Sequence, residues 1–170
     1  PLSAMDSVVC MGASIGNANG VELALGEDAK GKVVGVIGDS TFMHSGITGL
    51  LDIVYNKGAS TIIILDNRIT AMTGHQENPT TGKTLMGEDT PKIDLAKLSE
   101  ALGVNSVQVV DPYNLEETEE TIQNELDKDE ISVVIARRAC ALLKSVEKKK
   151  PFKVDPEKCI NCGQCLELGC

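Results

Sequence analysis

Residues 32–40 read KVVGVIGDS and residues 60–67 read STIIILDN, two short apolar runs that each finish on polar residues. Neither run alternates apolar with polar, as a strand with one wet face would. Continuous β-branched runs of this length belong to parallel sheets covered on both faces. The first predicts a strand from Lys32 to Ile37 that breaks into a turn at Gly38. The second predicts a strand from Thr61 to Leu65 that ends at Asp66. Between them residues 44–57 have the helical period, with Ile47, Leu50, Leu51 and Val54 on one face. Strand, helix and strand in this order form one parallel crossover unit.

The same alternation continues outward in both directions. Upstream, MGASIGNANGVELALGEDAK (residues 11–30) predicts a small-residue helix ending near Gly26. Gly12, Gly16 and Gly20 recur every four residues, so this helix should set a bare face against something packed close. Downstream, residues 68–91 form a polar loop rich in Thr, Gly and Pro, too long to be a mere connection. A helix over 93–102, a strand over 106–110, an acidic helix over 115–126 and a strand over 131–136 follow. Strands alternating with helices predict an α/β fold with a doubly wound, mostly parallel sheet. The chain has no Trp, two Tyr and two Phe, so aliphatic helix-on-sheet packing must build its core.

Composition narrows the function. A length of 170 residues suits one core with a small appendage. The net charge of −9 argues against nucleic acid or an anionic membrane as partner. No apolar run reaches the length of a membrane span, and PLSAMDSVVC at residues 1–10 lacks the basic start and long apolar stretch of a secretory signal. Six cysteines, four of them clustered, fit metal ligation in a reducing cytoplasm better than extracellular disulfides.

Ligands of open α/β sheets sit at the carboxyl ends of the strands. Two strand ends here carry Gly38-Asp39-Ser40 and Asp66-Asn67. Asp39 and Asn67 lie 28 positions apart, one crossover unit, so neighbouring strands would bring a carboxylate and an amide oxygen to one point. Hard oxygen donors of this kind suit Mg²⁺ or Ca²⁺, and Mg²⁺ completes its shell with water and phosphate oxygens. Gly38 lets a phosphate approach the backbone, and the start of the following helix offers N–H groups. The pattern predicts a metal diphosphate. Taken singly, Asp39 could simply cap a helix and Asn67 simply turn the chain.

The chain closes on CINCGQCLELGC, residues 159–170, with Cys159, Cys162, Cys165 and Cys170 spaced CxxCxxCxxxxC. Three cysteines at three-residue steps favour a 4Fe-4S cluster and hence electron transfer. A zinc knot or a disulfide clip is the alternative, although zinc sites usually separate two cysteine pairs by a long gap. The Lys-rich stretch 144–158, with Pro151 and Pro156, reads as a linker to this cage. Cys10 and Cys140 read as buried small hydrophobes. Arg137 and Arg138 are candidates for seating the cluster arm or an anionic substrate, or are solvated residues at a strand end.

GDS followed by 26 residues and then Asn67 resembles the motif of thiamine-diphosphate enzymes. LDNRITAMTGHQENPTTG (residues 65–82) resembles a loop of 2-oxoacid:ferredoxin oxidoreductases. Together with MGASIG (11–16), TFMHSG (41–46) and IARRAC (135–140), the likeness is greatest to the indolepyruvate ferredoxin oxidoreductase α-subunit family. Ser40 departs from the usual Gly of thiamine enzymes and Asp66 from a usual Asn, as in that subfamily.

The resemblance implies thiamine diphosphate, Mg²⁺ and a 4Fe-4S cluster as cofactors. It makes Asp39, Asn67 and the carbonyl of Ile69 the Mg²⁺ ligands. Gly38, Ser40, Thr70, Gly74 and His75 would line the cofactor, with His75 and His44 as candidates for a catalytic role. The implied reaction is oxidative decarboxylation of indolepyruvate or another aryl-2-oxoacid with coenzyme A and ferredoxin, in a hetero-oligomer with a β subunit. Pyruvate or branched-chain oxoacids as substrates, or a non-catalytic diphosphate-binding module with a metal-binding tail, stay open. The family's activating glutamate and second cysteine cage have no counterpart here. The chain is therefore expected to hold an N-terminally truncated thiamine-diphosphate domain (1–143), a linker (144–158) and the truncated start of a ferredoxin-like domain (159–170), inactive alone.

Overall fold

The computed structural model describes residues 5–147 and 153–167. Four strands, β1 (Val34–Gly38), β2 (Thr61–Asp66), β3 (Ser106–Val110) and β4 (Ser132–Arg137), form one sheet in the order β1-β2-β4-β3. Every pairing is parallel. The helices are α1 (Ser14–Leu25), α2 (Asp39–Thr41), α3 (Ile47–Tyr55), α4 (Leu95–Ala101), α5 (Leu115–Leu126) and the short α6 (Gln164–Glu167) in the tail. The doubly wound α/β expectation holds, with strand bounds shifted by a residue or two at β1, β2 and β4.

Pairing register assigns each side chain to a face. Ile37, Ile62, Ile64, Val133 and Ile135 point to one side, where Ile15 and Ala18 of α1, Leu50 and Ile53 of α3 and Leu95 of α4 complete the main core. On the other side α5 packs through Ile122 against Val110, Val134, Ala136 and Ile63. Burial of these aliphatic groups supplies most of the driving force, about 25 cal/mol per Å² of apolar surface.

Coverage of the sheet is uneven, contrary to the expectation from its continuous apolar runs. Val36, Ile63 and Val134 form one cross-strand row, and Gly38, Leu65 and Ala136 another. The α5 helix covers the β4 end of both rows, while Val34, Val36 and Leu65 are 38%, 47% and 48% exposed. On α3 the inward face is centred on Leu50 and Ile53, and Leu51 points outward. The glycine helix also differs from expectation. A Cβ on Gly16 or Gly20 would meet nothing within 4 Å, so this side of α1 faces open space. Only Gly12 lies tight, with φ +91° and Ser45 against its backbone. Cys10 is exposed rather than buried, in the irregular stretch that also exposes Val8, Val9 and Met11.

A helical run follows β1 without a loop. It begins as α2, passes through a π-helical turn at Phe42–Gly46 and continues as α3. Single π turns inside helices are uncommon and concentrate at functional sites. Phe42 and Gly46 are buried there, while His44 and Ser45 face outward.

Candidate metal-diphosphate site

The carboxyl ends of β1 and β2 are neighbours, with Gly38 paired to Leu65. Asp39 therefore meets the peptide that follows Asn67. Its Oδ1 accepts the Ser40 N–H at 2.7 Å and its Oδ2 accepts the Arg68 N–H at 3.1 Å. Asn67 folds back on itself, its Oδ1 accepting the Ile69 N–H at 3.1 Å. Arg68 carries this turn at φ +65°, a left-handed conformation unusual for a residue with a side chain. Asp39 thus meets the turn that follows Asn67, where Asn67 itself holds the Ile69 N–H.

Burial and the nearby Asp66 carboxylate push the Asp39 carboxyl up to about 6, against the opposing pull of the Ser40 and Arg68 N–H groups and the Thr80 hydroxyl. A carboxylate only 3% exposed, at a strand end and beside a second acid, is a place where a cation relieves a standing electrostatic cost. A Cβ on Gly38 would meet nothing within 4 Å, so open space adjoins the backbone there. The donor set and the space fit a hard divalent cation with a diphosphate.

Loop residues 68–91 bind this point together. Thr70 Oγ1 donates to Ser40 Oγ at 2.8 Å, and Asn78 Nδ2 donates to Thr70 Oγ1 at 3.2 Å. Asn78 Oδ1 in turn accepts both the N–H and the hydroxyl of Thr80, at 2.9 and 2.7 Å. Asn78 and Thr80 are 7% and 1% exposed. Sequence reasoning passed over both, because an Asn and a Thr in a polar loop look like ordinary turn residues; the proline between them was the only local sign of a fixed bend.

Gly74 and His75 join the site less directly. Thr70 and Gln76 exchange backbone hydrogen bonds at 3.0 and 3.1 Å, which closes a small loop over 71–75. Gly74 (φ +116°) and His75 (φ +64°) form its tip. His75 is exposed, as is His44 in the π turn. Ser40 is half-buried beside Asp39.

Asp66 is the second buried acid, at the end of β2. Arg137 Nε reaches its Oδ2 at 2.7 Å, and Arg68 Nε lies 3.4 Å from its Oδ1. Arg138 pairs with Asp111 at 2.5 Å and stacks 3.7 Å over the Tyr113 ring. Both arginines are therefore engaged within the domain. The Arg138 and Cys140 N–H groups donate to the carbonyls of Asp66 and Asn67, so the chain leaves β4 alongside the site.

Cys159, Cys162 and Cys165 are exposed on the tail, and Cys170 lies outside the described residues. Among the described residues no three His, Cys, Asp or Glu side chains converge as a metal site, so the cysteine cage rests on its spacing.

Comparison with known proteins identifies the family. Residues 1–136 match the thiamine pyrophosphate enzyme C-terminal TPP-binding domain, and residues 152–168 match the 4Fe-4S binding domain. The chain belongs to the thiamine pyrophosphate enzyme family, by its TPP-binding domain. Along its whole length it is 42% identical to the indolepyruvate oxidoreductase subunit IorA of Pyrococcus horikoshii and 41% identical to that of Methanothermobacter marburgensis. It spans 29% and 27% of those two proteins. The fold is similar to a 2-oxoglutarate:ferredoxin oxidoreductase from Magnetococcus marinus solved with 2-oxoglutarate, coenzyme A and succinyl-CoA bound. That likeness has a TM-score of 0.65 at 18% identity, over 81% of this chain and 47% of the other.

Proposed function

We propose that this chain is the diphosphate-binding part of an oxidoreductase that oxidatively decarboxylates aryl-2-oxoacids. The observation that carries the proposal is the meeting of Asp39, Asn67 and the Ile69 peptide at adjacent strand ends, on a chain that also bears a 4Fe-4S motif. Asp39, Asn67 and the Ile69 carbonyl would hold Mg²⁺, and Gly38, Ser40, Thr70, Gly74 and His75 would line the diphosphate cofactor. Thiamine diphosphate, when bound, supplies the electron sink for decarboxylation. The protein groups at this point anchor and orient rather than exchange protons. Ser40 is held by Thr70, and Thr70 by Asn78, so the lining has little freedom to shift.

Cys159, Cys162, Cys165 and Cys170 would hold the cluster that takes the electrons onward to ferredoxin. The indolepyruvate substrate rests on the relatives' name, and coenzyme A on a compound bound to a structural neighbour. A hetero-oligomer with a second subunit, in the reducing cytoplasm, fits the subunit name and the cysteine chemistry. Among the described residues no helix is long and apolar enough to cross a membrane. Residues 1–143 would form the diphosphate domain, 144–158 a linker and 159–170 the start of a ferredoxin-like domain.

The test is anaerobic reconstitution followed by counting Fe, sulfide, Mg and thiamine diphosphate per chain. Iron and sulfide with absorbance near 400 nm that dithionite bleaches, and Mg²⁺-dependent diphosphate binding lost in Asp39→Ala, are expected. Stoichiometric zinc without iron would overturn the redox assignment. Turnover of indolepyruvate by the 170-residue chain alone would overturn the view that it is one part of a larger catalyst.

A further inference from the structure

A second group of charges gathers next to the metal-diphosphate residues. Arg68, Lys92 and Arg137 line one cavity of about 210 Å³ together with Asp66, Asp94 and Thr80. Asp39, Asn67 and Ile69 are not part of its wall. The three cations come from separate segments: the turn after β2, the approach to α4 and the end of β4. The backbone on either side of Lys92 is pinned to the loop. The Ile93 N–H donates to the Pro79 carbonyl at 2.9 Å, and the Thr90 N–H to the Gly82 carbonyl at 3.1 Å. The Lys92 stem runs past Gly82, where a Cβ would lie 3.5 Å from Lys92 Cβ and 3.9 Å from its Cδ.

The charges around this cavity do not balance. Arg137 meets Asp66 through Nε at 2.7 Å, and Arg68 approaches the same carboxylate through Nε at 3.4 Å. Asp66 Oδ1 is buried without a hydrogen bond. Arg137 Nη2 lies 4.0 Å from Asp94 Oδ1, which already accepts the Ala96 N–H at the start of α4. Among the described residues, the Nη groups of both arginines and the Lys92 ammonium donate no hydrogen bond to another protein group. Three positive charges thus face two carboxylates. Desolvation first, and then the Arg68 guanidinium, push the Lys92 pKa below its ordinary 10.5.

An anion in the cavity relieves this crowding of like charge and supplies the missing acceptors. Guanidinium forks take carboxylate or phosphate oxygens two at a time, and lysine binds phosphate as a point charge. Cations converging from three segments suit a group with three outward oxygens better than a planar carboxylate with two.

We propose that this cavity binds a phosphate group, held by Arg68, Lys92 and Arg137, as a subsite separate from the metal-diphosphate site. Its wall needs neither Mg²⁺ nor Asp39. It accepts the group either as the free ion or as the end of a phosphate ester.

Calorimetry with inorganic phosphate, at low ionic strength and with EDTA present, tests the subsite on the 170-residue chain. One phosphate should bind per chain. Lys92→Ala, at an exposed position, should weaken binding by about 10-fold or more through loss of one charge-assisted hydrogen bond. Lys92→Arg should keep most of the affinity, and Lys97→Ala, on α4 outside the cavity, should bind as the native chain does. Absence of saturation, or equal affinity in the native chain and Lys92→Ala, would overturn the proposal. So would binding that needs Mg²⁺, since the anion would then sit at Asp39. Acetate binding as tightly as phosphate would also overturn it, since charge alone would then hold the ion. Glycerol phosphate separates the two sources: tighter binding than inorganic phosphate assigns the subsite to an ester, and weaker binding to the free ion. Phosphate binding in a chain that takes up no Mg²⁺-diphosphate would uphold the subsite and sink the metal reading alone.

Discussion

Asp66 and Arg137, 71 positions apart, meet at 2.7 Å where β2 and β4 end. The carboxylate is 3% exposed and the arginine side chain 27%. This pair joins the two central strands directly behind the candidate metal site, and Asp66 also adds to the electrostatic load on Asp39. Breaking a buried pair by removing one partner costs about 3–5 kcal/mol. With Arg68 still near Asp66 and Arg137 partly wet, Arg137→Ala should cost about 2–3 kcal/mol, read from urea unfolding. Asp66→Asn should cost less than Arg137→Ala, because it removes the buried charge instead of stranding it.

Asp39 sets a pH dependence of the metal-free chain. Its folded value of about 6 lies above its ordinary 3.8. Between those values the folded state holds a proton that the unfolded state has lost, so the Asp39 contribution to stability falls as pH rises from about 4 to about 6 and is flat above. A shift near two units corresponds to at most about 3 kcal/mol. Asp39→Asn should remove this slope from the stability–pH curve, measured by denaturant titration. Saturating Mg²⁺ with diphosphate should shrink it in the native sequence, because a bound cation favours the ionised carboxylate.

Asn78 is the hub of the loop network. Asn78→Ala leaves the buried Thr80 N–H and hydroxyl without their acceptor, and each stranded buried group costs about 1–3 kcal/mol. The variant should unfold at lower urea and bind Mg²⁺-diphosphate more weakly by calorimetry, since Thr70 and Thr80 lose their tether. Thr81→Ala, three residues along the chain and bonded to the Asn78 carbonyl rather than to its side chain, is the comparison and should move binding little.

Two glycines should respond with opposite sign. Gly12→Ala forces a left-handed residue, about 1–2 kcal/mol, and drives a methyl group 2.1 Å from Ser45 Oγ, so it should destabilise by more than the conformational figure alone. Gly20→Ala sits mid-helix with open space beside it and should stabilise the chain by about 0.5–1 kcal/mol. Thermal unfolding of both variants checks the pair.

The α/β fold and the positions of Asp39 and Asn67 were legible in the sequence because they depend on local signals. Continuous aliphatic runs mark the parallel strands, helical periodicity marks the crossovers, and a strand–helix–strand spacing carries two strand ends to one place. The cysteine spacing is likewise local. Other features depend on which segments lie side by side after folding. The Asp66–Arg137 pair spans two strands that become neighbours only through the β1-β2-β4-β3 order. The Asn78–Thr80 network needs a loop folded back on Ser40 and Thr70. The outward glycines of α1, the exposed Leu51 and the uncovered Val34 and Val36 follow from where helices pack, which no periodicity encodes. Sequence determined the elements and the ends on which chemistry would sit. Tertiary structure decided which polar groups are buried together and which apolar faces still lack a partner, because burial is a property of neighbours distant along the chain.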